Sequence, residues 1–392
     1  VRIDRIDLFS FRNLKPASLQ FNQTLNIFCG PNGQGKTNFL EAIFAVLRGK
    51  SFRPYANRKH WPSQHNPDLL TRIEAAMSTR FSSLMELSLQ LSPDGRWDFL
   101  LNGKKTSAQK LRSKTAVVSI SPDDHSLIRG QPDERRQFLD DVFSDLCPGY
   151  VEIYSRFEEV IHSRNRILKH EQISWDDREM NTWTRLLVEA AYDLYLLRLE
   201  MWPQWVLQLK STAPQVLGSW AQSFDVKFTY DQPHKPESFK AAYFNELRQG
   251  FDTDRATGWT HRGPHRDDFQ ILIDGLDSKQ GASQGQARML ALHQKWTYAH
   301  WIQAEIGEEP ILIVDDLSSE LDALRRSGIL SLVSALKTQI FISTTDASLV
   351  DTSGFSEYTF FDVSQGQIRP RKPQESQANW SFLNVRQAPS TS

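Results

Sequence analysis

The stretch Leu25-Asn26-Ile27-Phe28-Cys29, followed by Gly30-Pro31-Asn32-Gly33-Gln34-Gly35-Lys36-Thr37, decides how this chain is read. The apolar run reads as a buried strand, and the eight residues after it fit G-x-x-x-x-G-K-[ST] without a mismatch. From 37 to about 48, Phe39, Leu40, Ile43, Phe44 and Leu47 recur at three- and four-residue spacing, which predicts an amphipathic helix. Strand, glycine loop and helix in that order make a phosphate cradle. The glycines let successive N–H groups turn into one anion hole, and the helix aims its positive end at the same place. Lys36 has the reach for β- and γ-phosphates, and the Thr37 hydroxyl suits Mg²⁺. Asn38 completes the expected nucleotide-binding set, while burial on the strand accounts for Cys29 better than chemistry does.

Such a loop needs a carboxylate at the end of a neighbouring strand. Ile311-Leu312-Ile313-Val314-Asp315-Asp316 offers one, an apolar run of the kind a buried parallel strand shows, ending in two acids. Asp315 is expected to hold Mg²⁺ with Thr37, and Asp316 to polarise the attacking water, so Lys36, Asp315 and Asp316 form the expected catalytic set. Two further segments matter. Gly281-Ala282-Ser283-Gln284-Gly285-Gln286 opens a helix, and Ser318-Ser319-Glu320-Leu321-Asp322 follows the acids.

Working outward, alternating apolar residues predict paired strands before the loop, with a turn near Lys15-Pro16. Residues 70–120 read as antiparallel hairpins punctuated by Asp94-Gly95 and Asn102-Gly103. Residues 134–219 read as helical, with breaks at Pro148 and Pro203. Strands are expected at 226–230, 269–273, 311–314 and 339–343, and a helix at 284–306. The expected fold is α/β: a phosphate-loop head with a β-rich subdomain and an inserted helical lobe, without a long coiled coil. The division is 1–130 for the first part of the head, 131–220 for the helical lobe, 221–368 for the rest of the head, and 369–392 for a mobile polar tail.

The composition narrows the class. The chain has 392 residues, with 46 Lys/Arg against 47 Asp/Glu. Residues 1–60, however, carry ten Lys/Arg against Asp4, Asp7 and Glu41, a local excess that leaves nucleic acid open as a partner. No apolar run approaches the ~20 residues of a membrane-spanning helix. The charged, alternating amino terminus is unlike a secretory signal, and Val1 is expected to reflect an unusual start or a trimmed methionine. Two cysteines, Cys29 and Cys147, exclude a disulfide scaffold and a Cys-built zinc site and suit the cytoplasm.

The order phosphate loop, S-x-G-Q, apolar strand with two acids, then S-x-L-D resembles the ATP-binding-cassette ATPases. In them the S-x-G-Q segment, here Ser283, Gly285 and Gln286, meets the nucleotide held by a second subunit. The 247 positions from Lys36 to Ser283 are too many for a transporter cassette, and no heptad array fills them. Three stretches resemble the RecF family of SMC-like ATPases: Phe11-Arg12-Asn13-Leu14 with the loop, Ser121-Pro122-Asp123-Asp124 through Asp140, and Gly263-Pro264-His265-Arg266-Asp267-Asp268. The resemblance implies ATP and Mg²⁺ as cofactors, with Arg12 at the nucleotide. It implies an ATP-dependent homodimer and a weak DNA-dependent ATPase used as a switch. It also implies binding to gapped, single-stranded and double-stranded DNA without sequence preference, and RecO and RecR as partners in recombinase loading, replication restart and the SOS response.

Departures are Ala282 where transporter cassettes carry Leu, Asp316 where many carry Glu, and no histidine after strand 339–343. A transporter-type cassette and a defence-type ATPase remain the alternatives. His261 and His265 have helical metal spacing, but Gly263-Pro264 between them breaks a helix. Arg53, Arg58 and Lys59, interleaved with Phe52, Tyr55 and Trp61, are the candidate DNA strip. Trp380, Phe382 and Leu383 lie in the tail.

Overall fold

The computed structural model describes residues 1–21, 24–53, 58–62, 70–79, 82–92, 95–112, 114–170, 172–231, 235–316, 323–336 and 338–371, excluding the side chains of 58, 83 and 323–327. The segment Ser318 to Asp322, Tyr55, the Arg58 side chain and the tail residues Trp380, Phe382 and Leu383 therefore lie outside it.

The central sheet has the order Gln367–Pro370, Tyr358–Ser364, Leu25–Cys29, Ile340–Thr344, Ile311–Val314, Val117–Ile120. Its strands run parallel, except that Gln367–Pro370 returns antiparallel on the edge. Leu25–Cys29, Ile340–Thr344 and Ile311–Val314 are buried at every residue, as a sheet covered on both faces requires. Two expectations change here. The acid-bearing strand is not beside the strand feeding the loop, because Ile340–Thr344 lies between them. Val117–Ile120 is a parallel strand of this sheet rather than part of the antiparallel stretch. Hydrophobic runs reveal that a strand is buried but not which strand it lies beside.

An antiparallel sheet of order Ala17–Gln20, Arg2–Phe9, Arg72–Thr79, Ser82–Leu91, Trp97–Leu101, Lys104–Thr106 supplies the second layer. Its inward residues Ile6, Leu8, Ile73 and Leu87 join Phe28, Phe39, Phe341 and Phe361 in one apolar core. Helix Lys36–Arg48 is buried along almost its whole length within that core. The Asn102-Gly103 turn has φ of 49° and 74°, the two positive values that a two-residue hairpin takes.

The helical lobe begins with Pro132–Leu146, Tyr150–Leu168 and Arg178–Leu217. Pro148 falls in the first break, as expected. Pro203 breaks nothing: it and Pro214 lie inside a continuous helix of 40 residues. A proline costs a helix one N–H bond, and here Met201, Trp202 and Trp205 bury the neighbouring turn. Trp202 stands 4.4 Å from Phe228, so these aromatics pack the core as expected. Helices Pro236–Gln249 and Phe251–Thr257 were not anticipated, although Phe239, Tyr243 and Leu247 recur at four-residue spacing and are buried. A small sheet, Leu276–Asp277, Asp268–Ile273, Phe224–Thr229, completes this part. The strand Gln367–Pro370 carries regular structure two residues into the segment read as a tail. No helix among the described residues is long and apolar enough to cross a membrane.

Candidate nucleotide-binding site

The loop leaves the sheet at Cys29 and enters helix Lys36–Arg48 through Gly35, whose φ of 110° demands glycine. Gly30 is fixed by a close approach instead: a Cβ there would lie 2.2 Å from the Val363 carbonyl oxygen. Lys36 Nζ donates to the carbonyls of Gly30 at 2.7 Å and Pro31 at 2.9 Å. The ammonium thus caps its own loop, where a phosphate would compete for it. Burial lowers its pKa from the usual lysine range, while Asp316 and then Asp315 pull it back up.

Thr37 reaches across the sheet, its hydroxyl donating to Asp315 Oδ1 at 2.9 Å. The intervening strand contributes Ser343, whose hydroxyl donates to the same oxygen at 2.7 Å and accepts the Asp316 N–H at 2.8 Å. Burial pushes the Asp315 carboxyl up, and the Ser343 and Thr37 hydroxyls pull it down. Asp316 has φ of 48°, so the chain turns sharply as it leaves the strand. A threonine hydroxyl and a carboxylate meeting on one oxygen form the hard-donor arrangement that Mg²⁺ prefers, so Thr37 and Asp315 fit that ion. Ser343 was missed in sequence because its role depends on strand order.

Asn38 donates to Asn13 Oδ1 at 2.6 Å, and Asn13 donates in turn to the Gly33 carbonyl at 3.5 Å. Gln34 is held by a turn at the far end of the chain, its Oε1 accepting the Gln365 N–H at 2.6 Å. Behind the loop lies Glu41, fully buried. It accepts from Arg12 at 2.7 Å and from the Trp61 indole at 3.0 Å, and Arg53 lies 3.5 Å away. Arg53 also donates to Asn38 at 2.6 Å. Arg12 and Arg53 thus share Glu41 as an ionic partner, both half-buried, whereas Lys59 is exposed. Of the aromatics in the candidate strip, Trp61 is buried, and Phe52 packs edge-on against Phe44.

Ser283 caps helix Gln284–Ile306. Its hydroxyl accepts the Gln286 N–H at 3.2 Å, and its own N–H reaches the Gln286 side chain at 2.8 Å. Ser283 and Gln284 are exposed, with Gly285 and Gln286 half-buried behind them. Arg129 donates to the Ala282 carbonyl, and Lys295 lies 3.2 Å from Asp124. The helix is thus pinned to the segment that follows strand Val117–Ile120.

The other two motifs meet each other rather than the loop. Arg135 grips Asp268 through two bonds of 2.8 and 2.9 Å. Arg198 reaches Asp267 and Asp140 at 2.8 Å each and the Tyr150 hydroxyl at 3.2 Å, all buried. His265 is half-buried and bonded to the Thr260 carbonyl, and desolvation pushes its imidazole down to about 4. His261 bonds Asp254 instead, so the pair does not converge on a metal.

A parallel sheet with a glycine loop at one strand end, a hydroxyl–carboxylate pair beside it and a capped helix start elsewhere defines an ATP-binding-cassette head of the SMC type. A family profile described as "RecF/RecN/SMC N terminal domain" matches residues 2–367. Within that class the chain belongs to the RecF family. It is 32% identical over 376 residues to the DNA replication and repair protein RecF of Shouchella clausii, covering 94% of this chain and 99% of the relative. The Bacillus subtilis protein of the same name is 29% identical over 377 residues, at 93% and 99% coverage. A solved structure of the recombination mediator protein RecF with ATP superposes with a TM-score of 0.85 at 25% identity, covering 95% and 98% of the two chains. An SMC head from Pyrococcus furiosus, at 13% identity and a TM-score of 0.52, shares the fold.

Proposed function

We propose that this protein is an ATP-dependent DNA-binding switch of recombinational repair and replication restart, acting with RecO and RecR and linked to the SOS response. The observation that carries the reading is the meeting of Lys36, Thr37, Ser343 and Asp315 at one end of the central sheet, in a chain that a RecF protein matches over 94% of its length. Relatives of this coverage leave the transporter-type and defence-type alternatives without support.

The loop N–H groups and Lys36 bind the nucleotide phosphates, and Thr37 and Asp315 hold Mg²⁺, which neutralises charge on the phosphates when bound. Asp316 takes a proton from the attacking water. The exposed start of helix Gln284–Ile306 presents Ser283, Gly285 and Gln286 to the nucleotide of a second copy, so ATP joins two heads. Hydrolysis separates them and is slow, as suits a timer.

DNA is bound through phosphates, without base readout. Arg53, tied to Glu41 and Asn38, is better placed to support the loop than to meet DNA. Lys59 keeps the DNA role, with Arg58 beside it in sequence. Lys104 and Lys105 on the hairpin, and Lys110 and Lys114 shortly after it in sequence, are exposed and add further cations for phosphate contact.

One experiment tests the scheme: sedimentation of the parent and Ser283→Arg with a slowly hydrolysed ATP analogue, with and without duplex DNA at two salt concentrations. The parent should dimerise only with nucleotide, and its DNA affinity should rise in the dimer and fall steeply with salt. Ser283→Arg should bind nucleotide yet stay monomeric. A nucleotide-bound dimer of the variant as abundant as the parent's would refute the head-to-head arrangement.

A further inference from the structure

The phosphate loop is gripped from outside by a turn some 330 residues away in sequence. Strands Tyr358–Ser364 and Gln367–Pro370 are joined by Gln365-Gly366, with φ of 49° and 74°. This is a two-residue hairpin turn in which both central residues are left-handed, and a glutamine at the first of them is strained. Strain of this kind persists only where surrounding contacts over-determine it.

The contacts here lead to the nucleotide loop and to the 13–15 segment beside it. The Gln365 N–H donates to Gln34 Oε1 at 2.6 Å, and the Gly366 N–H donates to the Gln34 carbonyl at 3.0 Å. The Gly366 carbonyl accepts the Lys15 N–H at 2.9 Å. A Cβ on Gly366 would lie 2.0 Å from the Asn13 carbonyl oxygen, so the turn is wedged against the segment that also supports Gly33. The same strand pair presses on Gly30 through the Val363 carbonyl. Both ends of the loop are therefore shaped by one hairpin.

We propose that Gln34 and the Gln365-Gly366 turn form a positioning clamp, which holds the phosphate loop open in its anion-binding shape before nucleotide arrives. Gln34 acts through the turn, and its side chain is already engaged away from the anion hole. The clamp sets how much loop ordering accompanies nucleotide binding. Its loss raises the dissociation constant for ATP and leaves the chemical step, which belongs to Asp316, largely alone. This rests on the nucleotide-binding reading above.

The test uses the full-length chain. Gln34→Met keeps the length of the side chain and removes the acceptor. Gly366→Ala attacks the same clamp from the turn. Each should raise the Kd for ATP about tenfold and change kcat by less than about threefold. In Gln34→Met the Gln365 amide should also exchange faster with solvent, while the melting temperature stays within a few degrees of the parent's. The double variant should be no weaker than the weaker single one, since both break one device. Parent-like affinity in Gln34→Met, or fully additive losses, would overturn the clamp. If Gly366→Ala fails to fold, Gln34→Met with its exchange readout decides alone. Failure of the parent itself to bind ATP would instead refute the nucleotide reading.

Discussion

The phosphate loop and the arginine hub around Arg198 are both written in recognisable motifs, yet their charges are used in opposite ways. In the hub the cation and its acceptors are buried and satisfied within the chain: Arg198 meets Asp140, Asp267, Tyr150 and the Pro264 carbonyl at 2.5–3.2 Å. In the loop the hydrogen bonds of Lys36 among the described residues go to carbonyls of the loop itself. A saturated cluster fixes how helices and strands sit together. A cation held by its own loop can exchange those carbonyls for phosphate oxygens. Motif strength in the sequence does not separate the two cases, and the partners do.

Substitution at the two cations should give the sharpest contrast. Lys36→Met should weaken ATP binding by at least about a hundredfold with little loss of stability, because a phosphate loses its one mobile cation. A fluorescence titration with labelled nucleotide checks this, and unchanged affinity would break the comparison at once. Arg198→Met should do the reverse. Leaving Asp140 and Asp267 buried beside an apolar chain should cost about 3–5 kcal/mol in urea unfolding, while the protein that remains folded binds ATP. Equal stability would mean that the hub is not what joins the two motifs.

Turnover sharpens the picture inside the loop region. Asp316→Asn should slow hydrolysis about a hundredfold and prolong the ATP-held dimer. Asp315→Asn, by contrast, should weaken both nucleotide binding and its dependence on Mg²⁺. Single-turnover rates separate the two, and normal hydrolysis by Asp316→Asn would reassign the base.

The smallest effect is one of pH. His293 is fully buried and His265 half-buried, and desolvation pushes each imidazole from 6.5 down to about 4. Between those values the unfolded chain binds protons that the folded chain refuses, so stability should fall as pH drops from 6.5 towards 4. His293→Gln, still able to donate to the Leu209 carbonyl, should flatten part of that fall in pH-dependent melting. A curve identical to the parent's would remove His293 from the account.

The sequence by itself determined those parts of the molecule whose cause is local. The loop, the helix after it, the strand Ile311–Val314 and helix Gln284–Ile306 were all legible, because glycine pattern, apolar period and capping residues act within a few positions of one another. Tertiary structure alone decided the rest. It placed Ile340–Thr344 between loop and acids, bringing in Ser343, and kept helix Arg178–Leu217 unbroken at Pro203. It brought Arg53 to within 3.5 Å of the buried Glu41 and carried Gln365-Gly366 back to Gln34. Each of these depends on which distant segments share a face, and sheet order and buried partnership are set by packing of the whole chain rather than by any short window of it.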